Sequence, residues 1–544
     1  MTRPIRLLAV AAAVLGGASS CAGSAAPRTA ASAARPRLIV QIVIDQMRGA
    51  YVDAYRTQWT RGLHRLLTEG AYFPQARYPY AMTVTCAGHA SVGTGAVPSV
   101  HGMVLNEWWD RAAQRRTPCA SDPRVTPVGF TKPVTSRYSG RPMLTETFAE
   151  RLDRSQPADD ARVVALSIKA RSAVGLAGHA GDAVVWFDPL GTFATSSAFG
   201  HPAWLGPWLQ AHPIEALTGA EWTRGRPAAA YVGTDDDTGA RPPSGWTPRF
   251  PHRLSDTGTA DATFYDRWQR SPYSDAYLTD MAMAAIDAMA LGRRGGTDYL
   301  GVSYSALDLV GHKFGPSSHE VQDVMMRVDE QIGRLLAHLD RTVGPGNYAV
   351  ALTADHGVGE VPEDLGVAGG RLPRGAVAKI IEDVLDKAWG IDARHVEHDL
   401  YADIYLSPAT RTRLDADAAT LAALETAIER LPAVLRVMTW KDMAGAAASA
   451  DPMIAAQRLS YHPERSGDLI LMMREHFTTS IDAASHGTYY DYDRRVPVIL
   501  FGSPFTAGTF EGPASPLDIP ATWSRLTGVA LDRPHGRSLD AAVK

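Results

Sequence analysis

Leu38, Ile39, Val40, Ile42, Val43 and Ile44 form a near-continuous apolar run, interrupted by Gln41 and ended by Asp45. Such a run predicts a central strand of a parallel sheet, buried on both faces. Ligands of open α/β sheets collect at the carboxyl ends of strands, which is where Asp45 falls. Further strands are expected at 161–167, 184–187, 299–304 and 348–353. A long helix is expected over 316–340, with Pro316 at its start and Val321, Met325, Val328, Ile332, Leu335 and Leu336 at spacings of three and four. This alternation of strand and helix gives the fold class: α/β, with a central, mostly parallel sheet flanked by helices and carrying inserted regions.

A chain of 544 residues is too long for one ordinary domain. The expected core is 37–357 with 462–544, carrying irregular, Gly-, Pro- and Trp-rich insertions at about 107–160 and 200–260. A separate small α+β lobe is expected over 358–461. Within it fall helices at 376–389 and 414–431 and strands at 399–406 and 434–440. Leu469 to Met473 is expected to resume the core.

Arg3 and Arg6, then the apolar Leu7 to Leu15 and small residues up to Cys21, have the layout of an export signal over 1–22. An Ala- and Ser-rich disordered leader follows over 23–36. Cys21 is a candidate lipid anchor, although Ala18 stands where an aliphatic residue is usual. No later apolar run is long enough to span a membrane, so the expected location is periplasmic or extracellular, free or tethered. A net charge of -4 offers no basic surface for nucleic acid. With Cys21 set aside, only Cys86 and Cys119 remain; they form either a disulfide or a buried thiol and a loop thiol.

Thr85 to Gly95 places a hydroxyl before a run of small residues, a turn leading into a helix whose first N–H groups face an anion. Thr85 is then either a simple cap or the residue against which a phosphate lies. Metal-type ligands fall at or just after strand ends in several places: Asp45, Asp308 with His312, Asp355 with His356, and His486. The spacing of four puts Asp308 and His312 on one helix face. Asp355 and His356, being adjacent, point different ways unless the chain turns sharply, which Gly357 permits. Lys169 and Arg171 follow the 161–167 strand, and both face one site only if a turn intervenes.

These pieces, with Asn106 and the His486–Thr488 stretch, resemble the alkaline phosphatase superfamily. The likeness is to exported bacterial alkaline phosphatases related to nucleotide pyrophosphatase/phosphodiesterases, and it spans roughly residues 38–531. The resemblance implies two zinc ions: one held by Asp308, His312 and His486, the other by Asp45, Asp355, His356 and the Thr85 oxygen. It implies Thr85 as nucleophile, a phosphothreonine intermediate, and phosphoryl contacts from Asn106, Lys169 and Arg171. The expected activity is therefore alkaline phosphomonoester hydrolysis on small-molecule phosphate esters. A phosphodiesterase or nucleotide pyrophosphatase would share every metal ligand. Sulfatase relatives use a modified Cys or Ser where this chain has Thr, and a non-catalytic, zinc-stabilised binding protein is the reading from another class.

Overall fold

The computed structural model describes residues 35–157, 161–233, 235, 239–445 and 449–544. The expected export segment, Cys21 and nearly all of the leader lie outside them. Among the described residues no helix is long and apolar enough to cross a membrane.

The apolar run is β1 (Leu38–Ile44), buried at all seven residues. Leu38, Val40, Ile42 and Ile44 enter one core layer and Ile39 and Val43 the other, because successive strand side chains face opposite ways. Each such side chain fully removed from water contributes roughly 1.5–3 kcal/mol. Gln41 stays paired: its Nε2 donates to Ala351 O at 3.4 Å and its Oε1 accepts from Trp523 Nε1 at 3.4 Å.

Nine strands join β1: β2 (Ala71–Phe73), β3 (Pro127–Gly129), β4 (Val163–Ser167), β5 (Ala183–Asp188), β6 (Thr192–Ser196), β7 (Asp298–Tyr304), β8 (Tyr348–Thr353), β9 (Val498–Gly502) and β10 (Gly508–Thr509). Their order is β10-β2-β9-β8-β1-β7-β4-β5-β6-β3. The five central strands, β8-β1-β7-β4-β5, run parallel, and β9 and β6 flank them antiparallel. Register pairs Ile44 with Tyr304, Val43 with Thr353 and Ser303 with Ser167. The carboxyl ends of β1, β7, β8 and β4 therefore stop almost level, and the segments leaving those four strands meet at one edge.

Six helices matter to that edge: α1 (Thr85–Thr94), α2 (Ala170–Ala177), α3 (Pro272–Ala288), α4 (Ala306–Phe314), α5 (His319–Thr342) and α6 (Asp518–Thr527). Residues of α3 and α5 share the layer of Val40 and Ile42; residues of α2 and α6 share that of Ile39 and Val43. The α5 helix begins three residues later than Pro316, because the Ser318 hydroxyl accepts the Val321 N–H at 3.2 Å and caps it.

The 107–160 region is more regular than its composition suggested. It holds a hairpin of Glu107–Asp110 with Arg115–Pro118, the edge strand β3 and a helix at Phe148–Arg154. In the later region, 399–406 is not one strand but a tight hairpin, Val396–Leu400 and Asp403–Leu406. The helix expected over 414–431 is likewise two, Pro408–Ala416 and Ala418–Glu429. Leu469–Met473 does not resume the main sheet. It lies between Asp403–Leu406 and Val434–Thr439 in a four-stranded antiparallel sheet, and the chain rejoins the main sheet at β9. An apolar strand shows its burial locally but not which sheet supplies its partners.

Candidate active site

Four of the five parallel strand ends deliver parts of a polar cluster. Asp45 directly follows β1, Lys169 lies two residues beyond β4, α4 with Asp308 and His312 follows β7, and Asp355 and His356 follow β8. His486 comes from a loop, and Thr85 is the first residue of α1. The N-cap of that helix is Val84, with no side-chain cap bond, so the Thr85 hydroxyl does not cap its own helix. It lies 3.3 Å from His356 Nε2. Gly88 lets α1 come this close, since a Cβ there would lie 2.1 Å from Asp355 O.

Asp45, Asp308 and Asp355 are all at most 2% exposed. The Lys169 ammonium sits between two of them, 2.7 Å from Asp45 Oδ2 and in direct contact with Asp308 Oδ2. Three buried carboxylates thus face a single buried cation. Burial and the charges of Asp308 and Asp355 hold the Asp45 carboxyl well above its usual range. Burial also opposes ionisation of Asp308, but Lys169 and His312 outweigh it and hold that carboxyl well below the usual range. Asp45 Oδ1 has no hydrogen-bond partner, and Asp355 Oδ2 is met only by imidazole nitrogens, His89 Nδ1 and His356 Nε2, each 3.2 Å away. Buried carboxylate oxygens left this way are costly unless a cation meets them.

The imidazoles are set to complete such a centre. His312, His356 and His486 turn Nδ1 to the carbonyls of Ala484, Gly357 and Thr83, at 2.9, 2.9 and 2.8 Å. A carbonyl accepts only, so each Nδ1 carries a proton, and a neutral ring presents its Nε2 lone pair to the cluster. Burial pulls His312 down, but the Asp308 charge outweighs it and holds that imidazole above its usual range, so its Nε2 offers a lone pair only once that proton is lost. His312 Nε2 is 3.2 Å and His486 Nε2 3.7 Å from Asp308 Oδ1. His356 Nε2 is 3.2 Å from Asp355 Oδ2 and 3.6 Å from Asp45 Oδ1, and its ring stacks on His486 at 3.5 Å. Burial pushes both of those imidazoles below their usual range, which keeps them neutral.

Among the described residues, ligand atoms within 4.8 Å of one another form two groups, Asp308 with His356 and His486, and Asp45 with His89 and Asp355. His89 is the weaker member. Its Nδ1 must donate to Thr85 O at 2.9 Å, and its Nε2 is engaged by Ser303 Oγ at 2.8 Å, so neither nitrogen offers a free lone pair. It orients the start of α1. His356, standing between the groups, is the imidazole available to both.

The turn after β4 brings Lys169 and Arg171 together: Lys169 is the N-cap of α2 and Arg171 lies in its first turn. Arg171 Nε is buried without a hydrogen-bond partner. Asn106 accepts the Cys86 N–H on Oδ1 at 2.8 Å, which turns its Nδ2 toward the cleft, where the Tyr401 phenol faces it. Asp355 and His356 do converge, but Gly357 is not in the left-handed region. Its part is close approach, since a Cβ there would lie 2.0 Å from Tyr492 O. Cys86 and Cys119 are joined in a disulfide.

Sequence reasoning passed over His89 and Gln46. Gln46 holds φ at 71° and ties Asp308 Oδ1 by Nε2 at 2.8 Å and Asp355 Oδ1 by its backbone N–H at 3.1 Å. Only their proximity to Thr85 and Asp45 in the chain pointed to them. Beside the cluster, a cavity of about 450 Å³ opens against the small sheet, lined by Asn106, Glu107, His312 and His486 and, across from them, His398 and Tyr401.

An open α/β sheet whose strand ends gather a helix-borne hydroxyl, three carboxylates and three oriented imidazoles defines an enzyme of the alkaline phosphatase superfamily. Similar proteins agree. Alkaline phosphatase PafA of Elizabethkingia meningoseptica is 29% identical over 90% of this chain and 91% of its own. Alkaline phosphatase PhoK of a Sphingomonas species is 30% identical over 93% and 92%. A crystal structure of wild-type PafA superposes with a TM-score of 0.84 at 27% identity, covering 94% of this chain and 99% of that one. Residues 39–491 match the type I phosphodiesterase / nucleotide pyrophosphatase family, and the chain belongs to it.

Proposed function

We propose that this enzyme hydrolyses phosphate monoesters, passing the phosphoryl group first to Thr85 and then to water, with two zinc ions in the cluster. The fit rests on the donor set. Asp308, His312 and His486 would hold one ion, and Asp45, Asp355, His356 and the Thr85 oxygen the other, with every imidazole presenting Nε2 and with an unpaired carboxylate oxygen on Asp45. When bound, zinc in such a pair lowers the pKa of a coordinated hydroxyl and neutralises charge on a leaving oxygen.

The chain's own part is position and charge. The α1 helix fixes the Thr85 hydroxyl at the strand ends, and His89 pins the Thr85 carbonyl from behind. Asn106 turns its amide donors toward the cleft. Lys169, whose present partners are carboxylates that would hold metal, and Arg171, with its unpaired Nε, are then available to the non-bridging oxygens. Two cations reaching the transferred group would favour the doubly charged phosphoryl group of a monoester over the singly charged one of a diester. That pairing of Lys169 and Arg171 at the start of α2 is the observation that carries the monoester reading. The alkaline phosphatase names of PafA and PhoK support it, while the family's own description keeps the diester reading in play.

The test is kcat/KM on p-nitrophenyl phosphate against bis(p-nitrophenyl) phosphate. The monoester is expected to be preferred, and a diester preference would overturn the choice. The Cys86–Cys119 disulfide supports export to an oxidising compartment, as a signal at 1–22 would provide.

A further inference from the structure

The residue directly after Thr85 is half of a disulfide, and both ends of that bridge hold Asn106. Cys86 N–H donates to Asn106 Oδ1 at 2.8 Å, and Cys119 N–H donates to the Asn106 carbonyl at 2.9 Å. Both sulfurs are buried, each cysteine being 1% exposed. The bridge joins positions 33 residues apart, and between them lie Asn106 and the Glu107–Pro118 hairpin.

That hairpin does not dock on the main sheet. Trp109 donates its Nε1–H to Glu397 at 2.8 Å and stacks on His398 at 5.0 Å, and Arg111 donates to Ser466 O at 3.0 Å. These partners belong to the small sheet or its flank. Asn106 therefore stands where a segment anchored on one body must be registered against a nucleophile anchored on another. The covalent tie is placed at that junction, one residue from Thr85.

We propose that the Cys86–Cys119 disulfide is a positioning device, which sets the Asn106 carboxamide against Thr85 so that its Nδ2 donors meet the transferring phosphoryl group. The inference rests on the reading of Asn106 as a phosphoryl contact. With Oδ1 taken by the Cys86 N–H, the amide has one useful orientation, and the bridge holds the donor and the amide in one frame. Loss of that frame costs the contact, and misplacement on the order of 1 Å is enough to cost about 100-fold in rate.

A double-mutant cycle on the zinc-loaded, full-length protein tests this, with folding checked by thermal unfolding. Asn106→Ala in the bridged protein is expected to lower kcat/KM on p-nitrophenyl phosphate by about 10–100-fold. Removing the bridge by Cys86→Ala with Cys119→Ala should lower it by about tenfold. The triple variant should be little worse than Asn106→Ala alone, because the bridge acts through Asn106. Losses that multiply in full, or a bridgeless protein with unchanged monoester turnover, would overturn the proposal. No effect of Asn106→Ala in the bridged protein would instead sink the underlying reading of Asn106. If the alanine pair is not recovered folded, Cys119→Ala alone, which keeps the buried Cys86 thiol, runs the same cycle: non-additive losses support the positioning role, and fully multiplying losses overturn it.

Discussion

Thr85 Oγ1 stands 3.3 Å from His356 Nε2, across 271 residues of sequence. Because His356 gives its Nδ1 proton to Gly357 O, its Nε2 meets the threonine as a lone pair, and the hydroxyl is the group that must donate. Removing that hydroxyl removes the proposed phosphoryl acceptor. Thr85→Ala is expected to lower monoester turnover by about 10³-fold or more, and Thr85→Ser, which keeps a hydroxyl, to stay within about tenfold of the parent. Steady-state kinetics on p-nitrophenyl phosphate decide it. Alanine turnover near that of the parent would remove Thr85 from the chemistry.

Chelation should have two coupled effects. Asp45, Asp308 and Asp355 are buried together with one lysine, so a bound cation stabilises the folded chain as well as enabling turnover. Ligand at 100 times its Kd adds about 2.7 kcal/mol. Dialysis against a chelator is expected to abolish phosphatase activity and lower the melting temperature, and added zinc to restore both. Activity indifferent to chelation would contradict the metal assignment.

Lys169 and Arg171 should separate the two ester classes. Alanine at either position is expected to lower kcat/KM on the monoester by about 100-fold and on the diester by less than tenfold, since the extra charge they meet is the monoester's. Equal losses on both would show that these residues only maintain structure.

Asp275, which caps the helix carrying Asp308, gives a pH-dependent prediction. Its Oδ1 accepts the N–H groups of Ser305 at 3.0 Å and Ala306 at 3.2 Å, capping α4, while its Oδ2 has no partner. Burial pushes this carboxyl up to about 7 against the pull of those two bonds. The folded chain thus keeps a proton that the unfolded chain releases near pH 4, so the contribution to stability is full below that value and lost as pH rises toward 7. Asp275→Asn keeps an acceptor and cannot ionise. Urea unfolding should show its advantage over the parent growing by about 1.4 kcal/mol per pH unit between pH 5 and 6 and by less as pH approaches 7. A constant difference would refute the shift.

Much of this edge was legible in the sequence because the information was local. Asp45 and Asp355 close apolar runs, and α4 puts Asp308 and His312 on one face through a spacing of four. What was not legible depends on partners far away in the chain. Nothing in the sequence around Leu469–Met473 tells a strand of the main sheet from one of the small sheet, since both need the same apolar pattern. His89 looks like any helix residue until Ser303, 214 positions away, meets its Nε2. The Cys86–Cys119 pairing was one of two open readings, and only the return of the hairpin onto α1 decides it.

Thr85, in this mechanism, carries the phosphoryl group between substrate and acceptor. The stereochemical course at phosphorus tests this most directly, using a monoester made chiral with oxygen isotopes and an alcohol as acceptor. Two in-line displacements, onto Thr85 and off it, predict net retention of configuration. Net inversion would mean a single direct displacement and would contradict transfer through Thr85.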